Sequence, residues 1–187
     1  MVREAMAFHE QGKFAEAQGL YEQVLNTDPA NFDALRLLGA VKAAQHKVEE
    51  AVELMTAALL QRPDAIEVLY NLGMMYQEQK RWSDAESMYR EALSIRPDFA
   101  EAHNNLANVL RETNRASEAI QHYQLASASR PDYAEAHNNL GNVLREQNRP
   151  AAAIASYRRA IAVNPQYADA IRNLDNILLE QKNRTKR

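Results

Sequence analysis

Residues 100–115 are AEAHNNLANVLRETNR, and residues 134–149 are AEAHNNLGNVLREQNR. The two stretches agree at 14 of 16 positions and begin 34 residues apart. Five of the six prolines follow the same spacing: Pro29, Pro63, Pro97, Pro131 and Pro165. A fixed period of this length is typical of repeat architectures, in which each unit buries its apolar face against its neighbours. The period alone therefore indicates a repeat architecture.

Each period is expected to contain two helices, because apolar and small residues recur at steps of three and four. In residues 66–99 these are Leu69, Leu72, Gly73 and Tyr76, then Ala85, Met88, Tyr89 and Ala92. We predict an all-α solenoid of antiparallel helix pairs, with about eleven helices in a single domain over residues 1–187. Its parts are a truncated repeat at 1–31, full repeats at 32–65, 66–99, 100–133 and 134–167, a capping helix at 168–182 and a basic tail at 183–187.

Composition narrows the function classes. The chain of 187 residues is 46% hydrophobic and 25% charged, which suits a soluble domain with a buried core. Its net charge of -3 disfavours nucleic acid as a partner, because such binding depends on clustered lysine and arginine. The absence of cysteine excludes disulfides and thiolate chemistry. No apolar stretch is long enough for a membrane span or secretory leader, so we expect a cytoplasmic protein that does not bind membranes.

The start of each first helix carries an acidic pair. Asp98 and Glu101 have the D-x-x-E spacing of a capping box, and Asp132 and Glu135 repeat it. We interpret these carboxylates as helix caps that offset the dipole, in preference to an acidic binding column.

These features resemble the tetratricopeptide repeat family over essentially the whole chain. The resemblance is carried by the 34-residue period, the Leu-Gly pair of each first helix, the alanines of each second helix and the terminal proline. It implies a right-handed superhelix whose first helices line a concave groove. Local departures are Lys42 at a position otherwise aromatic or leucine, and His103 and His137 where Leu35 and Leu69 are apolar.

Asparagines recur along the first helices at two positions three residues apart. We call these residues the asparagine ladder: Asn71, Asn105, Asn139 and Asn173, then Asn108, Asn142 and Asn176. Asn104 and Asn138 lie beside them. Asparagine is a mediocre helix former, whereas its amide offers the same donor and acceptor as a peptide unit. Two alternatives follow: the ladder binds the backbone of an extended polypeptide, or the asparagines bond to one another across the stack and add rigidity.

The motifs NLGN and NLAN resemble the repeats of O-linked N-acetylglucosamine transferases, whose ladder holds substrate polypeptide. The match falls on Asn71, Asn105, Asn139 and Asn173, whereas Leu37 breaks it. The resemblance implies either a peptide-binding module or the substrate-recruiting region of a larger glycosyltransferase-like enzyme. Self-assembly through the exposed end of the stack is a third alternative.

Other candidate sites are weaker. Tyr70 and Met74 make the predicted groove more apolar toward its N-terminal end, where they either receive an anchoring side chain or pack between helices. His103 and His137 belong to successive repeats and are too far apart to share one metal. No catalytic or phosphate-binding motif occurs. We therefore predict a non-catalytic interaction module without a cofactor, whose partner is an extended peptide or protein.

Overall fold

The computed structural model describes residues 1–184, and within them the regular structure consists of eleven helices. They are α1 (Val2–Glu10), α2 (Phe14–Thr27), α3 (Phe32–Ala44), α4 (Val48–Gln61), α5 (Ile66–Glu78), α6 (Trp82–Ile95), α7 (Ala100–Glu112), α8 (Ala116–Ser129), α9 (Ala134–Glu146), α10 (Pro150–Val163) and α11 (Ala168–Arg184). The predicted all-α helical repeat is confirmed. The last helix extends two residues beyond its predicted end, and positions 185–187 of the predicted basic tail lie outside the described residues.

The chain divides into two compact units, Met1–Met88 and the part from Tyr89 onward, with the boundary inside α6. A stacked repeat has no single central core, because each helix pair packs only on its neighbours. In the first unit, one cluster forms around Tyr21 and Leu38 and a second around Met55 and Leu72.

The core of the second unit is built around the fully buried tyrosines Tyr123 and Tyr157. Each lies on the second helix of its pair, opposite a small residue of the first helix. A Cβ atom added to Gly141 would lie 2.6 Å from Cδ1 of Tyr157, so glycine provides the space for that ring. The tyrosine hydroxyls reach Asn108 of α7 and Asn142 of α9.

Each first helix ends in the same turn. A left-handed residue recurs every 34 positions, at Gly12, His46, Lys80, Asn114 and Asn148. The amide that follows it bonds back to the helix, as in Arg115 N to Leu110 O at 2.8 Å and Arg149 N to Leu144 O at 2.9 Å. This is the Schellman arrangement that ends a helix with a residue at positive φ.

The predicted capping boxes are wrong. The residues at the helix N-caps are Ala65, Phe99 and Tyr133, and none of them forms a side-chain cap bond. The aspartates Asp64, Asp98 and Asp132 lie one position before these N-caps. The glutamates remain in the first turn, where Glu101 accepts from Arg130, the residue after α8, and Glu135 accepts from Asn104 of α7.

Candidate functional site

An open polar groove of about 570 Å³ lies within the second unit, along α7, α9 and α11. We call it the amide groove. Its lining residues are Asn108, Arg111, Glu135, Asn138, Asn139, Asn142, Arg145, Glu146, Tyr167, Asp169, Arg172 and Asn173. Five of these are asparagines that the sequence singled out, so the helical register brings much of the asparagine ladder to one surface.

The first row of the ladder is bonded inward. Asn139 Nδ2 donates to Oδ1 of Asn104 at 3.2 Å, and one repeat later Asn173 Nδ2 donates to Oδ1 of Asn138 at 3.0 Å. Asn104 Nδ2 in turn donates to the Glu135 carboxylate at 3.1 Å. These bonds link α7 to α9 and α9 to α11.

Asn104 and Asn138 were expected to lie beside the ladder on the peptide-binding surface, but the structure buries both side chains. Asn104 is 0% exposed and Asn138 is 4% exposed, so neither presents a useful surface to a peptide. Consecutive helical residues lie about 100° apart around the axis. Asn105 is therefore half-exposed while its neighbour Asn104 turns into the space between helices. Asn104 and Asn138 therefore support the second interpretation, in which the asparagines bond to one another across the stack and add rigidity.

The second row is bonded to buried tyrosines. Tyr123 Oη donates to Oδ1 of Asn108 at 2.6 Å, and Tyr157 Oη donates to Oδ1 of Asn142 at 2.9 Å. Asn142 Oδ1 also accepts from Asn173 Nδ2 at 3.1 Å. Sequence reasoning missed the tyrosine contacts. Their signal was a constant offset of 15 residues between asparagine and tyrosine in two repeats.

Several polar atoms of these side chains remain unused by the rest of residues 1–184. They are the Nδ2 groups of Asn108 and Asn142 and the Oδ1 atoms of Asn139 and Asn173. All four side chains are half-exposed. Asn176 occupies the second-row position of α11 and is exposed, and no tyrosine of the described chain bonds to it.

The first unit does not repeat this arrangement. Asn71 is half-buried on α5, where Tyr70 occupies the position of Asn104 and Met74 the position of Asn108. Met74 is 47% exposed and offers no amide. The row of bonded asparagines described above therefore belongs to the second unit.

The charges that line the amide groove balance. Three arginines face three carboxylates: Arg111, Arg145 and Arg172, and Glu135, Glu146 and Asp169. Arg172 pairs with Asp169 at 2.6 Å, and Arg111 Nε lies 3.9 Å from Glu146. Burial raises the pKa of the Tyr157 hydroxyl, and the Arg145 charge opposes that rise. The hydroxyl that orients Asn142 is thus protonated at neutral pH.

The two predicted histidines are packing residues of successive repeats. His103 Nε2 bonds to the Pro97 carbonyl at 2.9 Å and His137 Nε2 to the Pro131 carbonyl at 3.0 Å. His103 Nδ1 also lies 2.9 Å from Nδ1 of His122, a pairing that the sequence did not suggest. Among residues 1–184, no three histidine or carboxylate side chains converge as a metal site requires.

Within the described part of the chain, every helix is either too short or too polar to cross a membrane.

Comparison with curated proteins gave no significant match. Similar solved structures include MamA, with a TM-score of 0.83 at 20% identity over 88% of this chain and 96% of that one. YrrB, described as a TPR protein with an unusual peptide-binding site, has a TM-score of 0.82 at 19% identity over 91% and 88%. PilF of Pseudomonas aeruginosa has a TM-score of 0.83 at 19% identity over 98% and 84%.

At these identities the structural similarity concerns the fold alone. Sequence models give the family: one described as a tetratricopeptide repeat matches residues 31–98 and 98–166, and a second with the same description matches residues 5–35. Together they span most of the chain, which therefore belongs to the tetratricopeptide repeat family of protein-interaction modules.

Proposed function

We propose that the amide groove binds an extended polypeptide by its backbone, without catalysing a reaction. The observation that carries the proposal is the set of unused amide atoms on Asn108, Asn139, Asn142 and Asn173, which face an open polar groove. A peptide in extended conformation presents the complementary N–H and C=O groups along each edge. Such a groove recognises the backbone and is tolerant of side-chain sequence.

Affinity must come from several contacts acting together. A neutral hydrogen bond contributes about 0.5–1.5 kcal/mol net, so a single asparagine gives too little binding free energy to hold a peptide. Four amides held in fixed orientations lose little side-chain entropy on binding, which supports a moderate affinity. YrrB, which shares this fold, is described as having a peptide-binding site, and this description is consistent with the proposal.

A neutral probe tests the proposal. The probe is a fluorescein-labelled dodecapeptide of alternating serine and threonine with blocked termini, and its binding is followed by fluorescence anisotropy. We expect saturable binding that the triple variant Asn108→Ala, Asn139→Ala, Asn142→Ala weakens at least about tenfold, through the loss of several hydrogen bonds. The matched control replaces Asn26 and Asn183, two exposed helix asparagines outside the groove, by alanine. Equal affinity of the triple variant and this control, with both folded by circular dichroism, would rule the groove out.

In the glycosyltransferase interpretation, the same groove recruits substrate polypeptide for a catalytic domain of a larger enzyme. It derives from the resemblance of the NLAN and NLGN motifs to the transferase ladder. A transferase domain encoded in the same reading frame as these repeats would support it, and the peptide-binding experiment applies unchanged.

Self-association is a second candidate function, favoured by the surface of α11. Ile171 and Leu178 are each 38% exposed, and Leu179 is 58% exposed. Light scattering at increasing protein concentration tests it. A constant monomer mass would exclude association of the chain as described.

A further inference from the structure

The two rows of the asparagine ladder are held in opposite orientations by the protein itself. Glu135 fixes the orientation of Asn104, because a carboxylate can only accept hydrogen bonds. Asn104 must therefore turn its Nδ2 group toward Glu135 at 3.1 Å, which leaves its Oδ1 to accept from Nδ2 of Asn139 at 3.2 Å. The Oδ1 atom of Asn139 forms no hydrogen bond within residues 1–184, and Asn139 lines the amide groove.

The second row has the reverse orientation. Asn142 Oδ1 accepts from both Tyr157 Oη and Asn173 Nδ2, at 2.9 and 3.1 Å. Asn108 Oδ1 accepts from Tyr123 Oη at 2.6 Å. The Nδ2 groups of Asn108 and Asn142 form no hydrogen bond within residues 1–184 and remain as donors.

From this network we infer that the amide groove has a fixed hydrogen-bonding polarity, with acceptors at Asn139 and Asn173 and donors at Asn108 and Asn142. Asn139 and Asn142 are three residues apart on α9, so their side chains are neighbours about 5–6 Å apart at Cβ. One repeat thus offers an acceptor beside a donor. The matching ligand is a peptide edge that presents an N–H group beside a C=O group.

This inference rests on the proposed function and names its ligand class more closely. A proline or an N-methylated residue lacks the N–H group that Asn139 and Asn173 would accept. The groove should therefore select extended segments with free amides and reject proline-rich segments of the same length. Tyr123 and Tyr157 are positioning residues, because they act by orienting asparagines.

Nuclear magnetic resonance of the asparagine side-chain NH₂ groups tests the orientation directly. In the free protein we expect slow hydrogen exchange for the NH₂ groups of Asn139 and Asn173, which are bonded inward, and fast exchange for those of Asn108 and Asn142. On titration with the serine-threonine dodecapeptide, the resonances of Asn108 and Asn142 should shift most. The opposite pattern of exchange or of shifts would overturn the polarity.

A substitution and a modified probe provide the second test. Asn142→Asp keeps the oxygen that accepts from Tyr157 and replaces the outward NH₂ group by an oxygen. We expect it to melt close to the wild type and to bind the dodecapeptide about tenfold more weakly. Asn26→Asp adds the same charge outside the groove and should change binding less than about twofold. A dodecapeptide N-methylated at every residue offers no N–H group along either edge, and it should lose at least about tenfold in affinity for the wild type.

The outcomes separate the inference from the proposed function. Failure of the wild type to bind the dodecapeptide contradicts the proposed function, while the exchange rates of the free protein still decide the orientation. Binding that persists in Asn142→Asp, or survives N-methylation of the whole peptide, contradicts the polarity and leaves peptide binding intact.

Discussion

At the scale of single residues, Lys42 shows how a repeat tolerates a foreign side chain. It occupies a position filled by Leu110 and Leu144 in later repeats, and it is 8% exposed. Its ammonium reaches the surface to pair with Glu50 at 2.6 Å. The hydrogen bond from Lys42 lowers the pKa of the Glu50 carboxyl.

Replacing Lys42 by leucine is expected to raise the stability of the protein. A nearly buried ammonium keeps a desolvation cost that its ion pair only partly offsets, and exchanging buried pairs for apolar residues often stabilises by about 1–4 kcal/mol. Thermal denaturation followed by circular dichroism measures the effect. Glu50→Gln is the counterpart and should lower the melting temperature, because it leaves the ammonium without its carboxylate. A lower melting temperature for Lys42→Leu would show that the ion pair outweighs the desolvation cost.

The sequence predicted the asparagines of the ladder but could not assign their partners. The 34-residue period places Asn105 and Asn139 on equivalent helix faces, and this needs only the helical repeat. The burial of Asn104 depends on the space between two neighbouring helices, which no single-helix pattern contains. Consecutive asparagines consequently look alike in the sequence and play different parts in the structure.

At the scale of helices, Tyr157 joins α10 to α9 through its bond to Asn142. Pairs of helices could be predicted from the apolar steps of three and four. The bond itself depends on the gap that Gly141 leaves for the tyrosine ring, a distance that becomes known only when both helices are packed. The left-handed conformation in the turns between paired helices was not predicted, because Lys80 is not a residue that typically adopts positive φ.

The burial of Tyr157 predicts a loss of stability at alkaline pH. Burial raises its pKa above the ordinary value of 10.0, whereas the unfolded chain ionises near that value. Below pH 10 both states keep the proton and the hydroxyl gives no pH dependence. Above pH 10 the unfolded state binds fewer protons, so the free energy of unfolding falls as the pH rises toward the folded pKa.

Urea denaturation between neutral pH and pH 11 measures this effect, and Tyr157→Phe is the matched variant. It should be less stable than the wild type at neutral pH by about 1 kcal/mol, through loss of the bond to Asn142. It should also lose less stability above pH 10. Both proteins keep a contribution from Tyr123, because burial also raises the pKa of that hydroxyl. Identical alkaline slopes for wild type and variant would show that Tyr157 ionises normally in the folded protein.

At the scale of the whole molecule, the first helices of successive repeats are more alike in sequence than the second helices. The repeats 100–133 and 134–167 share 14 of their first 16 residues and 7 of the other 18. The shared part contains the asparagines of the amide groove, while the second helices retain chiefly the tyrosine, alanine and proline positions that packing needs. In the first unit Leu37, Tyr70 and Met74 interrupt the pattern. The period thus predicts one fold along the chain, whereas the amide chemistry is concentrated in the second unit.

The balance of charge across the molecule leads to the last prediction. The chain has a net charge of -3, and the amide groove is lined by three arginines and three carboxylates. Salt weakens interactions between exposed charges but not bonds between neutral amides. The affinity for the neutral dodecapeptide should therefore change by less than about twofold between low and high salt, as measured by anisotropy. A single-stranded oligonucleotide of similar length is the control and should not bind, because no excess of arginine and lysine offsets its phosphates. A steep fall of dodecapeptide affinity with salt would instead identify Arg111, Arg145 and Arg172 as the main contacts, and the asparagine ladder would then be a support for them.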